Sequence, residues 1–331
     1  MPGRASVYDL ISIGDTTADV FLQISHASIH CDLKKEACQL CVTYADKIPV
    51  EQVTEVLGVG NAANNAVGAV RLGLRTALWT ILGNDPVGRR TVREVFTREG
   101  VSTQYIESDP RHRTNFSTVI NFHGERTILV HHEPRTYRFP RLPSSWLVYL
   151  TSMGKGWEAI IPHLLTSLRR AGARLIFNPG TYQLATARKH LRSVLRAADT
   201  LIVNRDEART LLGVPRGAPK PLLRGLLKQG PRAVVMTDGA NGAYAMDGGE
   251  IWYMPVIPVR LVERTGAGDS FATGVLAARF FGKQLPDALL WGALNAASVI
   301  QYVGGREGLL SRATLDRRAI MYQAIRAKKL P

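Results

Sequence analysis

"RTGAGDSFATG", residues 264–274, sets Gly266 and Gly268 on either side of one alanine, then places a carboxylate, Asp269, before an apolar run. The continuation "DSFATGVLAARFFG" reads as a mainly apolar helix, so Gly266, Ala267 and Gly268 stand at its N-terminus. A helix start presents N–H donors without intrahelical partners, and the macrodipole makes that end positive. Glycine lets such a backbone close on an anion such as phosphate, because no Cβ stands in the way. Asp269, in the first turn, is then held beside the same anion, where a carboxylate can accept the proton of an attacking hydroxyl. The same residues also fit a plain tight turn with Asp269 as a helix cap. No Gly-Lys-Ser/Thr follows, so the stretch is not a Walker A loop.

Upstream, short apolar runs end repeatedly in glycine or a small polar residue: "YDLISIG" (8–14), "TALWTILG" (76–83), "LVYLTS" (147–152), "RLIFNPG" (174–180), "DTLIVN" (199–204) and "AVVMTDG" (233–239). Helix-period stretches such as "WEAIIPHLLTSLRRAG" and "DEARTLLG" lie between them. That alternation predicts an α/β fold, a doubly wound and mostly parallel sheet flanked by helices. Ligands of such sheets bind beyond the carboxyl ends of the strands, where the polar residues of these runs sit. Residues 20–50 and 112–132 break the alternation. "TNFSTVINFHGERTILV" has a period-2 pattern around a turn expected at His123, Gly124 and Glu125, so the two interruptions predict a small β-rich lid. With no repeat, low-complexity tract or linker in the sequence, residues 1–331 are expected to form one domain.

Hydrophobic content of 45% and charged content of 21% fit a folded globular protein rather than a disordered one. No apolar run approaches the roughly 20 residues of a membrane span, and the opening "MPGRASVYDL" lacks a secretory pattern, so a cytoplasmic protein without a membrane partner is expected. The net charge of +15 favours anionic ligands. Its basic residues are scattered at helical spacing, as in "GRRTVREVFTREG", which points to solvated helix faces and to no specific nucleic-acid partner. Three cysteines make no disulfide framework and suit a reducing compartment.

"ERTGAGDSFATG" resembles the C-terminal signature of the ribokinase-like (PfkB) carbohydrate kinases, usually written D-T-x-G-A-G-D. The resemblance runs along nearly the whole chain. "GNAANNA" (60–66) resembles the N-terminal G-G-x-x-x-N-x-A, "LGNDPVGRRTVREVFTREGVST" resembles the segment after it, and "NRDE" (204–207) matches N-x-x-E. "TDGANGAYA" (237–245) resembles the nucleotide loop, and "NAAS" (295–298) falls in the expected late helix.

The resemblance implies a ribokinase-like fold and an ATP-dependent kinase acting on a hydroxyl of a sugar or sugar-like acceptor. Asp269 would be the catalytic base, and the backbone of Gly266, Ala267 and Gly268 the anion hole. Asn204 and Glu207 would help place Mg²⁺ through water, although they also read as a helix N-cap with its first-turn acid. Thr237, Gly239 and Gly242 would line the ATP phosphates and ribose, with Asn295 near the adenine. Asp19, Gly60 and Asn64 match the positions that hold sugar hydroxyls, which need paired donors and acceptors. Arg113, Asn115 and His131 read either as lid contacts or as ordinary strand-surface residues. A homodimer through the lid is a further expectation.

Three departures stand out. Glu263 and Arg264 replace the Asp and Thr that usually open the C-terminal signature, and Val59 replaces a glycine of the N-terminal one. In many relatives that Asp belongs to a monovalent-cation site, so a K⁺ requirement is open. The third is the insertion "SHASIHCDLKKEACQLCVTYADKIPV", which contains all three cysteines. Cys38 and Cys41 have a C-x₂-C spacing, and Cys31 with His30 or His26 would complete a zinc set. The same cysteines also fit apolar packing or a Cys38–Cys41 redox pair. Three other functions compete with the sugar kinase. They are a nucleoside kinase on the same fold, a non-catalytic sugar- or nucleotide-binding regulator, and an NAD-binding oxidoreductase. The last would use "GVGNAA" (58–63) as its dinucleotide turn, with Asp85 downstream as the ribose ligand.

Overall fold

The strand Tyr8–Ile13 is buried from its second residue onward and pairs in parallel with Ser145–Leu150 on one side and Thr76–Gly83 on the other. Such a strand is covered on both faces, which is why its sequence is a continuous apolar run rather than an alternating one. The computed structural model describes residues 7–32, 38–123, 125–186 and 188–331. Among these, the main sheet has ten strands. From one edge the parallel part runs Ile106–Asp109, Thr76–Gly83, Tyr8–Ile13, Ser145–Leu150, Arg174–Phe177, Ala198–Asn204 and Ala233–Thr237. Ala243–Asp247, Glu250–Met254 and Lys328–Leu330 follow as antiparallel strands.

All six strands read from the sequence lie in this sheet. The antiparallel addition was not anticipated. Its central hairpin turns at Gly248 and Gly249, both at positive φ (57° and 86°), the conformation that a tight two-residue hairpin demands and glycine tolerates.

Alternate residues of the central strands feed two separate cores. Ile11, Ile13, Val148 and Leu150 pack with Trp79, Trp157 and Leu164. Leu10, Leu147 and Tyr149 pack with Phe271, Leu276 and Trp291 on the other side. The sheet is thus doubly wound, as expected. On the second side, the helices Ala267–Phe280 and Leu285–Val299 cross so closely that a Cβ on Gly274 would lie 2.6 Å from the Trp291 carbonyl oxygen. Both helices are apolar around most of their circumference because both are buried.

The lid is a second sheet, ordered Val50–Val59, Thr17–Ile24, Asn115–Phe122 and Glu125–His131. The period-2 stretch forms its last two strands. Gly124, expected in their turn, lies outside the described residues. The strand Val50–Val59 extends past the expected lid boundary and runs directly into Gly60. On the outer face, the register places Leu22 beside Val53 and Ile120, with Phe116 and Leu129 alongside. Val53, Phe116 and Leu129 are 63%, 42% and 57% exposed there, leaving an apolar surface.

The insert forms an exposed two-stranded hairpin, Ser28–Cys31 with Cys38–Cys41. Cys31 stands opposite Cys38 across the ladder, and the two are joined in a disulfide while Cys41 keeps a free thiol. This corrects three expectations. Zinc on Cys31, Cys38 and Cys41 loses two of its thiolates, and among the described residues no group of three His, Cys, Asp or Glu is placed to hold a metal. Cross-strand pairing, not C-x₂-C spacing, selects the redox partner, so Cys38 bonds Cys31 rather than Cys41. Finally, the cysteines do not remain three free thiols. The disulfide predicts that iodoacetamide labels one cysteine in the unreduced, denatured protein and three after reduction, counted by intact mass.

Candidate active site

Gly266 caps the helix Ala267–Phe280 in the left-handed conformation, φ 75°. A Cβ at Gly266 would meet the Gly305 Cα at 2.5 Å, so this glycine is required both by its dihedral and by the neighbouring backbone. Gly268 differs: a Cβ there would meet nothing within 4 Å. The Ala267 N–H reaches the Arg264 carbonyl at 3.3 Å. Among the described residues, the Gly268 and Asp269 N–H groups find no acceptor. The turn therefore leaves open space above two unspent donors at the positive end of a helix, the arrangement an oxyanion needs.

Asp269 is buried in the first turn and accepts from Asn64 Nδ2 at 2.8 Å. Burial raises its carboxyl above the usual aspartate range, and the Asn64 bond opposes that shift. A raised carboxylate is a better proton acceptor. One turn on, Thr273 accepts from Asn65 and donates to the Asp269 carbonyl, which ties this helix to the helix Asn61–Arg71.

The three residues expected to hold acceptor hydroxyls converge here. Gly60 caps the Asn61–Arg71 helix at φ 105°, with its Cβ position 2.9 Å from the Asp15 carbonyl oxygen. Asn64 Oδ1 and Asp19 Oδ1 are both buried with no hydrogen-bond partner among the described residues. Such atoms are costly unless a ligand satisfies them. Burial pushes the Asp19 carboxyl up to about 6, opposed by Ser117 and Thr17, while the Glu263 charge adds to the rise. Among the lid candidates, Asn115 is buried with Nδ2 unpartnered, whereas Arg113 and His131 are solvent-facing.

The expected nucleotide side lies along the same edge. Asn204 and Glu207 form a reciprocal capping box at the start of the helix Arg205–Leu212, with both bonds at 2.8 Å. The cap reading therefore holds. Of the Glu207 oxygens, Oε2 is the one bonded among the described residues, and burial raises this carboxyl, with the Asp269 charge adding to the effect. A carboxylate oxygen placed there is a hard donor of the kind that suits Mg²⁺. In the sheet register Asn204 stands beside Thr237. Beyond Thr237, Gly239 faces open space, while a Cβ on Gly242 would fall 2.3 Å from the Met254 carbonyl oxygen.

Asn295 is placed differently from the expectation. It is fully buried, donates to the Ser270 carbonyl at 2.8 Å and accepts from the Leu310 N–H at 3.1 Å. Both ends of its amide are spent on the backbone, so it steadies the helix Ala267–Phe280 rather than facing adenine.

Several residues of the site were not read from the sequence. Tyr149 donates to Asn178 Oδ1 at 2.9 Å, and its hydroxyl is held protonated by burial and then by the charges of Asp269 and Glu207. Asp15 is buried against the Tyr137 hydroxyl and the Gly154 N–H. Each of Asp15, Tyr149 and Asn178 lies at or near the carboxyl end of a central strand, a positional signal that could have found them. The dinucleotide reading of "GVGNAA" fails on topology: the strand before Gly60 belongs to the lid sheet, antiparallel to Thr17–Ile24, rather than to the parallel sheet.

The model of the pfkB family carbohydrate kinases matches residues 21–312. The chain is 26% identical to fructoselysine 6-kinase of Shigella flexneri, covering 76% of this chain and 93% of that protein. It is 30% identical to a fructokinase of Escherichia coli, covering 66% and 75% respectively. Ribokinase of Arabidopsis thaliana, solved with ribose and ATP, superposes with a TM-score of 0.77 at 21% identity, over 94% of this chain and 98% of that one.

The Asp19 environment yields a pH prediction. The native state holds this proton more tightly than the unfolded chain, so Asp19 costs no stability below about pH 4 and costs increasingly as pH rises through 6. Removing the charge with Asp19→Asn should add about 2–3 kcal/mol at pH 8 and little at pH 4, read from denaturant midpoints across that range.

Proposed function

Since the chain belongs to the pfkB family of carbohydrate kinases, we propose that it transfers the γ-phosphoryl group of ATP to a hydroxyl of a sugar or sugar-like acceptor, with Asp269 as general base. The observation that carries this reading is the buried Asp269 carboxylate beside the unspent Gly268 and Asp269 N–H donors. The acceptor hydroxyl gives its proton to Asp269, its oxygen attacks the γ-phosphorus, and the bond to the bridging oxygen breaks as ADP leaves. The two N–H groups stabilise the charge on the transferring group. Asn64 orients Asp269 and, with Asp19, accepts from the other acceptor hydroxyls, while Gly60 lines the same place with no side chain in the way. Magnesium, held near Asn204 and Glu207, would neutralise the phosphates. The Glu263 oxygens are already engaged by Thr265 and Gly304 and face Arg126, so turnover is expected without added K⁺.

Fructoselysine and fructose are the acceptors named for the two relatives, and an ADP-release screen should begin with them, then ribose, sugar phosphates and nucleosides. Asp269→Asn should lower kcat by at least ~10²-fold with MgATP affinity little changed; near-normal turnover would remove Asp269 from the base role. Gly268→Val should fold, since its Cβ enters open space, yet lose activity because it fills the anion hole.

The apolar outer face of the lid suits a second copy of this chain. Val53→Glu combined with Leu129→Glu should halve the mass seen by light scattering if the lid carries a homodimer. An unchanged mass would place any association elsewhere.

A further inference from the structure

The tip of the lid and the loop entering the Gly266 turn carry opposite charges in crossed order. Glu125 and Arg126 open the last lid strand, while Glu263 and Arg264 lead into Thr265 and Gly266. Arg126 Nη1 lies 3.6 Å from Glu263 Oε1, and Arg264 Nη1 lies 3.7 Å from Glu125 Oε1. The two pairs are unequal. Arg264 and Glu125 are both more than half exposed, and such pairs contribute at most about 1 kcal/mol. The Glu263 side chain is only 6% exposed, and a carboxylate so placed is costly without a counter-charge.

Glu263 is also bonded to both segments that frame the anion hole. Oε1 accepts from the Thr265 N–H at 2.7 Å and from the Thr265 hydroxyl, and Oε2 accepts from the Gly304 N–H at 3.1 Å. Gly305, the next residue, presses on Gly266, and a Cβ at Gly305 would lie 2.9 Å from Asn64 Nδ2. One carboxylate thus fixes the approach to Gly266 and the backbone behind Asn64. Arg126 stands opposite Asn121, which shares a lid face with Ser117, the neighbour of Asp19. It therefore reaches Glu263 from the face turned toward the site.

We propose that Arg126 is a positioning residue for phosphoryl transfer: from the lid it supplies the counter-charge of Glu263, and so holds the Glu263–Gly266 turn with the Gly268 and Asp269 N–H groups aimed at the transferring group. Docking of the lid tip and assembly of the anion hole are then one event. Without Arg126, the Glu263 carboxylate is left uncompensated three residues from the point where negative charge gathers. It either opposes that charge directly or turns away and frees the Thr265 and Gly304 N–H groups. The consequence for turnover rests on the kinase reading, whereas the structural coupling does not.

Two measurements separate these levels. Hydrogen exchange of the substrate-free protein follows the amides of Thr265 and Gly304. Arg126→Ala should speed their exchange about tenfold, Arg126→Lys should restore most of the protection, and the strand Thr76–Gly83 should be unaffected. In the kinetic arm, with MgATP and either D-fructose or D-ribose as acceptor probe, Arg126→Ala should lower kcat about tenfold while the KM for MgATP stays within about twofold. Arg126→Ala combined with Glu263→Gln should recover most of that loss, because no stranded charge remains. Unchanged exchange at both amides in Arg126→Ala overturns the proposal, as does a double variant no faster than Arg126→Ala. If neither sugar is phosphorylated by the unmodified protein, the exchange arm decides the coupling, and the acceptor assignment is what has failed.

Discussion

The structure turns on one constraint, a carboxylate buried at a helix N-terminus beside N–H groups that must stay open. Asp269 meets it only because Gly266 adopts a left-handed conformation against Gly305, which lets the helix begin where its first N–H groups face open space. The Asn64 amide offsets part of the burial with a charge-assisted bond worth roughly 1.5–3 kcal/mol. Asn65 and Asn295 then fix the same helix to its neighbours through Thr273 and Ser270. Three buried asparagines are spent on holding one aspartate, a use of polar groups that an apolar core alone does not call for.

The electrostatics of the site follow from crowding acids of like charge at one edge of the sheet. Burial raises Asp269, burial and the Asp269 charge raise Glu207, the same two charges add to the burial that keeps Tyr149 neutral, and Asp19 is raised by burial and by Glu263. Left alone, this arrangement is destabilising. On the proposed reading it would become favourable once hydroxyl donors reach Asp19 and Asn64 and cations accompany the phosphates. The protein therefore carries unspent binding capacity in its free state, which is how strain at a functional site becomes affinity.

Sequence and structure agree best where one residue type has one physical use. The Gly266–Ala267–Gly268–Asp269 turn and the six parallel strands were legible because apolar runs ending in small residues have few other readings. The cysteines were not, since spacing along a chain says nothing of who faces whom across a hairpin, and Cys31 meets Cys38 through ladder register. Asn295 was misplaced for a related reason. A motif gives its position on a late helix, but only the packing shows that Ser270 and Leu310 consume its amide. Arg126 was invisible because Glu263 lies more than a hundred residues away, and Tyr149 because its partner Asn178 sits past the end of the neighbouring strand.

The lid has to satisfy two opposed demands with four strands. Its inner face presents Asp19, Ser117, Asn115 and Arg126, polar groups that gain only when the site is closed and water is excluded. Its outer face presents Val53, Phe116 and Leu129, which lose nothing by remaining closed if another surface covers them. A sheet of this size has too little apolar interior to be stable by itself, so its position has to come from contacts at its rim. On one side these are Ala18, Leu57 and Val59, which join the core beneath the Asn61–Arg71 helix. On the other they are the charges of Glu125 and Arg126 against the catalytic turn. Apolar anchoring at the root and ionic anchoring at the tip hold the lid by costs of different kinds. Withdrawing Leu57 and Val59 would expose apolar surface, whereas releasing the tip would leave the Glu263 carboxylate buried without its counter-charge.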